Sequence, residues 1–99
     1  MIISGWINDS PFRCSHVRFV EPFGTLRMLV EGDNETVVTE AFMNKSVVTI
    51  ADASGFNITG FFTTISPLKT RWKRRTRFVE FRITTELVRV REHLANSTP

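Results

Sequence analysis

The last third of the chain shows the clearest alternation of apolar and polar residues. Over residues 78–87 the apolar side chains fall mainly on odd positions and the polar ones on even positions. A period of two is typical of a β-strand with one buried face. After Leu87 the phase reverses, because positions 88 and 90 are valines. The pattern therefore predicts a final strand that bends or carries a β-bulge near Leu87.

Four earlier segments are rich in Val, Ile, Thr and Phe, which favour a pleated, half-buried backbone. These predicted strands cover residues 1–8 with a continuation at 17–20, residues 25–31, residues 36–50 and residues 56–65. The third contains "EAFMNK" between two β-branched runs, and this middle piece is interpreted as one helical turn or a bent strand. Gly60 in the fourth indicates a bend or a close approach of another backbone. No helix of ordinary length is predicted.

A chain of 99 residues is expected to form one domain with one core. Its predicted strands must protect their edges, and a closed or nearly closed barrel is the simplest way to do so. We therefore predict an all-β protein that forms a five-stranded, OB-like Greek-key barrel with at most a short helix. The domain is predicted to cover residues 1–94, and residues 95–99 are predicted to form a short flexible tail.

Charge is distributed unevenly along the chain. Residues 1–68 contain four basic and seven acidic residues, whereas residues 69–99 contain nine basic and three acidic ones. Six of those nine lie in "KTRWKRRTR" at residues 69–77, which the predicted strands make a loop between the fourth and fifth strands. In OB-folds such a loop flanks the binding face. Clustered cations bind phosphates without sequence preference, because binding releases condensed counterions.

Several segments resemble bacterial single-stranded-DNA-binding proteins. "IISGWINDSPFR" at residues 2–13 is similar to the family's first strand and loop, and its matching positions are Gly5, Ile7, Pro11 and Arg13. Gly24 precedes "TLRMLVEG", as a Gly precedes the family's second strand. "FNITGFFTTI", "SPLKTRWKRRTR" and "FVEFRITTELVRV" are similar to its Gly-containing strand, basic loop and final strand. The resemblance covers about residues 2–91, and the length is closest to the primosomal members.

This resemblance implies an OB-fold, ssDNA binding and a role in replication, restart or recombination. Two segments depart from the family pattern. Residues 32–54 do not show the helix of the tetrameric members. The C-terminal "EHLANSTP" has no acidic, Phe-ended tip, so a hub role that recruits partners is not expected.

The residues that bind nucleic acid are predicted from their type and position. Cations of the basic segment would neutralise phosphates, and Trp72 among them offers a flat face on which a base can stack. Arg13 near the first loop and Arg82 on the outer face of the last strand would add phosphate contacts. The predicted set is Trp6, Arg13, Arg18, Phe61, Lys69, Arg71, Trp72, Lys73, Arg74, Arg75, Arg77 and Arg82.

Several of these features have a second interpretation. Phe61 and Phe78 lie on the strand face opposite to the predicted interior, where they would stack on bases or be buried in a dimer interface. Trp6 would stack on a base or belong to the core or an interface. The basic segment could also be an ordinary solvated loop. The residues predicted to fill the barrel are Ile58, Phe62, Val79, Phe81 and Ile83.

Motifs for catalysis, metals and cofactors are missing from the sequence. Cys14 and His16 have a Cys-x-His spacing, but no second ligand pair completes a zinc site. "DASG" at residues 52–55 is predicted to be a turn, since the Gly-rich phosphate-loop patterns are absent. The acidic residues are scattered, without an acid/base pair. The protein is therefore predicted to be no enzyme and to need no cofactor or metal.

The predicted location is the cytoplasm, without a membrane anchor. The single cysteine fits a reducing compartment, no signal segment is recognised at the start, and no stretch reaches the roughly 20 apolar residues of a membrane span. Expected partners are single-stranded nucleic acid, a second copy in a homodimer and replication proteins. The predicted function is non-catalytic binding of single-stranded nucleic acid, with ssDNA favoured. Alternatives are a structural β-barrel of a phage tail or head-to-tail joint, and a dimeric adaptor that binds proteins.

Overall fold

The computed structural model describes residues 1–97 of the chain. These residues form seven β-strands and two α-helices. The strands are β1 Ile3–Ile7, β2 Ser10–Val20, β3 Thr25–Glu31, β4 Val48–Asp52, β5 Asn57–Ile65, β6 Lys69–Arg71 and β7 Arg74–Ile83. The helices are α1 Asp33–Met43 and α2 Leu87–Ser97.

Six of the strands close into an antiparallel barrel. Their order is β3-β2-β1-β4-β5-β7, and β7 pairs again with β3 to complete the ring. The short β6 adds only to the outer edge of β7. β4 returns beside β1 after the β1-β2-β3 meander, which is the Greek-key order. The prediction of an all-β, OB-like Greek-key barrel is confirmed.

The barrel has one strand more than the five predicted. The predicted first strand is a hairpin, since Asn8 and Asp9 form a two-residue turn with φ of 45° and 68°. Positive φ at both positions lets such a turn match the twist of the two strands that it connects. The chain therefore folds back at Ser10, where the sequence analysis expected a loop.

The barrel interior follows the period of two. Along β7, Val79, Phe81 and Ile83 point inward, and Phe81 is fully buried. Phe62 of β5 meets the Phe81 ring edge-on at 4.9 Å between ring centroids. The predicted interior residues are all buried, namely Ile58, Phe62, Val79, Phe81 and Ile83.

Gly60 is needed where β5 meets β7. A Cβ atom at this position would lie 2.0 Å from the carbonyl oxygen of Arg82. No side chain fits at that distance, so the backbones can pack this closely only with glycine. The predicted close approach at Gly60 is confirmed.

Helix α1 covers the run 36–39, which the sequence analysis assigned to a strand, and part of "EAFMNK", which it interpreted as one helical turn or a bent strand. The β-branched run 36–39 favours a strand locally, but the buried or partly buried Glu35, Val38 and Phe42 recur every three to four positions. That is the helical period, and it allows one face of the segment to pack on the barrel. Asp33 and Glu35 in the first turn also suit the positive end of the helix dipole. The segment 32–54 therefore contains a helix, contrary to the prediction.

Helix α2 replaces the predicted bend of the last strand. The change of phase at Leu87 marks the start of a helix, because Leu87, Val90 and Leu94 have helical spacing and face the core. The helix packs where β7 ends, so that Leu87 lies against Gly24. Residues 95–97 of the predicted tail are helical, and residues 98 and 99 lie outside the described residues.

A histidine ties α2 to the turn between β4 and β5. His93 stacks on Phe56 with 4.0 Å between ring centroids, and its Nε2 lies 2.5 Å from Oδ2 of Asp52. Burial raises the pKa of Asp52, but hydrogen bonds from Ser54, His93 and the Phe56 amide outweigh it, and the pKa lies below its ordinary value.

In the part of the chain that the structure describes, no helix is long and apolar enough to cross a membrane.

A buried carboxylate joins α1 to β7. Glu35 is fully buried, and its Oε1 accepts hydrogen bonds from Arg77 Nε at 2.6 Å and Thr39 Oγ1 at 2.9 Å. Its Oε2 lies 3.3 Å from Arg75 Nε, without hydrogen-bond geometry to any described residue. Arg77 also donates to the Ser66 carbonyl, so its guanidinium is held on two sides. The helix is therefore fixed to the strand by charge.

The charged state of Glu35 is favoured despite its burial. Loss of water raises the pKa of this carboxyl, but the hydrogen bonds from Arg77 and Thr39 and the charges of Arg75 and Arg77 lower it by more. The net pKa lies below the ordinary value, so folding and ionisation of Glu35 are linked.

Glu35→Gln tests this link, because it removes the charge and keeps the shape. We expect the free energy of unfolding at neutral pH to fall by about 3 kcal/mol, since Arg77 keeps a partly buried guanidinium without a carboxylate. Urea unfolding followed by circular dichroism measures the difference. The control is Glu86→Gln, which removes an exposed pair with Arg89 and should change the free energy by less than about 0.5 kcal/mol.

The pH dependence of this difference has a defined sign. The pKa of Glu35 is lower in the folded than in the unfolded chain, where it is about 4.3. Its contribution is therefore present above that pH and is lost as the pH falls through the folded pKa. We expect the gap between wild type and Glu35→Gln to shrink progressively as the pH falls below about 5. The Asp52 effect is common to both proteins and cancels. A constant gap would contradict a charged Glu35.

Candidate nucleic-acid interface

The basic segment forms a β-hairpin, which corrects its assignment as a loop. Its two-residue turn consists of Trp72 and Lys73, with φ of 53° and 64°. Such turns need positive φ at both positions and usually use Asn-Gly. The paired residues are Lys69 with Thr76, Thr70 with Arg75, and Arg71 with Arg74.

The tip of this hairpin holds a strained and exposed aromatic residue. Trp72 is 89% exposed. In residues 1–97 its ring makes no ring-stacking or cation contact. A bulky residue at positive φ is unusual and costs about 1–3 kcal/mol. The hairpin therefore keeps a large apolar ring in water at a conformational cost, which indicates a function for the ring.

The exposed side chains of β2, β3 and β7 line up across the outside of the barrel. We call this outer surface, together with the β6–β7 hairpin, the basic face. Residues paired across strands share a face, so the register defines rows of side chains. The rows are Arg18, Arg27 and Glu80; Ser15, Leu29 and Phe78; and Glu31, Thr76 and Lys69.

Most unpaired cations of the chain lie on the basic face. Within residues 1–97, six of the thirteen Lys and Arg side chains pair with a carboxylate: Arg27, Arg74, Arg75, Arg77, Arg89 and Arg91. The other seven have no carboxylate partner in this range. Lys45 is the one outside the basic face, and the six on it are Arg13, Arg18, Lys69, Arg71, Lys73 and Arg82.

Two of the paired arginines on this face are only weakly held. Arg27 lies 3.8 Å from Glu80, and Arg74 lies 3.8 Å from Glu31. Both arginine side chains are more than half exposed. Ion pairs of this kind contribute little to stability, so a phosphate can replace the carboxylate at small cost.

Phe78 places a second exposed ring among these cations. It is 58% exposed, and its backbone N–H donates to Ser66 Oγ at 2.9 Å. Leu29 lies beside it on β3. The face therefore combines cations with two exposed aromatic rings, at Trp72 and Phe78.

Eight of the twelve predicted site residues come together on the basic face. Six of them lie on the outside because inward and outward side chains alternate along β2, β6 and β7, as the sequence analysis predicted for Arg82. Trp72 and Lys73 form the turn of the hairpin. The eight are Arg13, Arg18, Lys69, Arg71, Trp72, Lys73, Arg74 and Arg82.

Arg75 and Arg77, which the sequence analysis included in the predicted set, do not belong to this surface. They occupy odd positions of β7, on the side of Val79, and both lie against Glu35. The Arg77 side chain is only 18% exposed. The sequence analysis treated the basic run as one charged loop, whereas a strand divides it between two faces.

Trp6 and Phe61 also lie elsewhere. β1 is three strands from β7 in either direction around the barrel, so the half-exposed Trp6 is on the opposite side from the hairpin. Phe61 is on the outer side of β5 next to Arg82 and lines an apolar groove beside α1. Trp6 is therefore remote from the basic face, whereas Phe61 borders it at Arg82.

The sequence analysis missed Arg27 and did not include Phe78. Leu26, Met28 and Val30 are fully buried, so the alternation within β3 already placed Arg27 outside. A further missed contact is at Phe23, which is 68% exposed and has the guanidinium carbon of Arg82 5.7 Å from its ring centroid. A cation–π contact of this kind has no spacing rule along the sequence.

Cys14 and His16 are titratable side chains of β2, the strand that carries Arg13 and Arg18. Cys14 is buried in the core, and burial raises the pKa of its thiol to about 12, so it is not a nucleophile at neutral pH. His16 is exposed and lies 2.9 Å from Ser15 Oγ through its Nδ1. Among the residues that the structure describes, no three His, Cys, Asp or Glu side chains are placed to hold a metal ion.

Comparisons of the chain with protein-family models, with curated protein sequences and with solved structures find no match. The resemblance to bacterial single-stranded-DNA-binding proteins therefore stays a prediction. Any assignment of function depends on the geometry of the basic face.

Proposed function

We propose that the protein binds single-stranded nucleic acid, with ssDNA favoured, along the basic face and without catalysing a reaction. One observation carries the proposal. Six unpaired cations share a continuous surface with the exposed rings of Trp72 and Phe78. OB-type barrels bind oligonucleotides across their second and third strands, and β2 and β3 form part of this surface.

Affinity would come mainly from the phosphates. Cations without a carboxylate partner can approach phosphate oxygens without first breaking an ion pair, and each contact releases condensed counterions. Lys69, Arg71 and Lys73 surround the hairpin tip together with the weakly paired Arg74, so the backbone of a strand could pass between them. Contacts of this type do not depend on base sequence.

The two rings favour an unpaired strand over a duplex. Trp72 projects from the tip and can stack only on a base whose face is accessible, and the bases inside a duplex have no free face. Phe78 offers a second platform in the middle of the face. From Arg74 to Arg82 the strand extends about 26 Å, at about 3.3 Å per residue. That length can accommodate several nucleotides, within the roughly 4–16 bound by one OB-fold.

The wider role stays a prediction. Replication, restart or recombination, a cytoplasmic location, a homodimer and replication partners follow from the resemblance and the composition alone. None of them is needed for the binding mode proposed here.

Salt dependence is the first prediction. The four cations at the hairpin tip should give a slope of log K against log salt of about −3, at about −0.7 for each phosphate on a single strand. Fluorescence anisotropy with labelled oligo-dT at several salt concentrations measures it. Arg71→Ala should reduce the slope by about 0.7. Arg89→Ala, on α2 at the far end of the barrel, is the matched control and should leave it unchanged. A slope near zero would sink the proposal.

Trp72 should contribute by stacking. We expect Trp72→Ala to weaken oligo-dT binding by about 1–3 kcal/mol, which is the value of one stacked base. Because the ring is exposed, the free energy of unfolding should not fall. Trp6→Ala is the control for removing an indole on the other side of the barrel, and it should bind as wild type. Equal losses in both variants would mean that the hairpin has no special part.

Relieving the strained turn should separate stability from binding. The double variant Trp72→Asn, Lys73→Gly places a favoured pair at the two positive-φ positions. We expect its free energy of unfolding to rise by about 1–2 kcal/mol while oligo-dT affinity falls. Urea unfolding and anisotropy measure the two quantities on one sample. If affinity were retained, the two side chains at the tip would not be the binding groups.

A further inference from the structure

An apolar groove lies beside the end of α1, outside the basic face. It is lined by Phe42 and Met43 at the end of α1, by Val47 just before β4, and by Phe61 of β5. The groove has a volume of about 730 Å³. Met43 is 70% exposed and Val47 is 65% exposed. Exposed apolar side chains that cluster in this way mark sites where proteins bind partners.

β5 extends past β4 at this groove, where it lacks a strand partner on the β4 side, and α1 packs against β5. β4 pairs with β5 only from Val48, which lies opposite Gly60. β5 continues to Ile65. Within residues 1–97, the segment Phe61–Ile65 therefore pairs with β7 on one side and with no strand on the other. An unpaired strand edge offers backbone N–H and C=O groups to an incoming strand. The groove would receive the side chains of such a strand.

The charge at the groove is positive. Of the seven residues that line the groove, Lys45 is the charged one. Within residues 1–97, Lys45 has no carboxylate partner. An occupant that carries Asp or Glu beside its apolar residues would complement Lys45.

A second copy of the chain fits this site poorly. A stable dimer interface uses about 20–30 residues a side, whereas seven residues line the groove. A two-fold contact would also bring the Lys45 side chains of the two copies together, without a carboxylate in the groove to separate them. A small apolar ligand fits poorly too, because binding pockets enclose most of their ligand, and here Met43 and Val47 stand in solvent.

We propose that the groove binds an extended segment of another protein. The segment pairs with the β5 edge at Phe61–Ile65 as an added strand, a known mode of peptide recognition. Its alternate apolar side chains fill the space between Phe42, Val47 and Phe61, and an acidic side chain meets Lys45. Met43 suits such a site, since its flexible side chain adapts to different occupants. The groove and the basic face then serve different partners.

Selection of random heptapeptides displayed on phage tests the proposal. Wild-type protein is the target, and Val47→Asp protein is the counter-selection. We expect enriched peptides with apolar residues at alternate positions and at least one Asp or Glu. Their binding, measured by anisotropy with synthetic labelled peptides, should weaken at least tenfold in Lys45→Glu. Selection on Lys45→Glu should instead enrich Lys or Arg. Peptide binding should slow amide hydrogen exchange at residues 61–65.

Matched controls keep the other occupants distinguishable. Val88→Asp changes an equally exposed valine on α2 and should bind the enriched peptides as wild type does. Val47→Asp should keep its oligo-dT affinity and its sedimentation coefficient. No enrichment over the counter-selection, or peptides without acidic residues, would overturn the proposal. A dimer that Val47→Asp dissociates would also overturn the proposal, because the occupant of the groove would then be a second copy of the chain. A loss of oligo-dT binding in Val47→Asp would overturn it too, because the occupant would then be nucleic acid.

Discussion

The Glu35 carboxylate is fully buried, and two arginines of the strand that carries the hairpin neutralise it. A guanidinium at an inward position of β7 would be costly without this partner, because a buried charge needs a counter-charge. With Glu35 present, the alternation of β7 can continue beyond the apolar core into the basic segment. Odd positions then hold Arg75 and Arg77 against α1, and even positions display Arg74 and Phe78. One ion-pair cluster thus determines which cations support the fold and which are free.

The displayed side chains share a second property, which is that the fold does not need them. Within residues 1–97 Trp72 packs against no other ring, and it has an unfavourable backbone conformation and is almost fully exposed. The unpaired cations on the same face add like-charge repulsion to the folded state. Features that cost stability and are held in place by a rigid barrel are typical of binding sites. The apolar groove beside α1 is a separate case, because its exposed residues meet an open strand edge and not a cation cluster.

Much of the barrel could be predicted from the sequence, because β3, β5 and β7 alternate with a clear period of two. The helices could not be predicted by this route, since Val and Thr in α1 favour strands locally and only packing on the barrel selects the helix. Leu87, Val90 and Leu94 did carry a helical signal, but the alternation of the preceding strand obscured it. The predicted site was mostly placed on one face. Arg75, Arg77, Trp6 and Phe61 lie outside this face, because strand register and the closure of the barrel depend on long-range pairing that no local pattern records.

The two tryptophans provide the most direct test of the central claim, because they lie on opposite sides of the barrel. In a ¹H–¹⁵N correlation spectrum each indole N–H gives its own signal, and one titration with oligo-dT reports on both sides at once. The account predicts that the Trp72 indole signal shifts together with the amides of β2, β3 and β7, while the Trp6 signal stays in place. A shift at Trp6 with no change at Trp72 would contradict it.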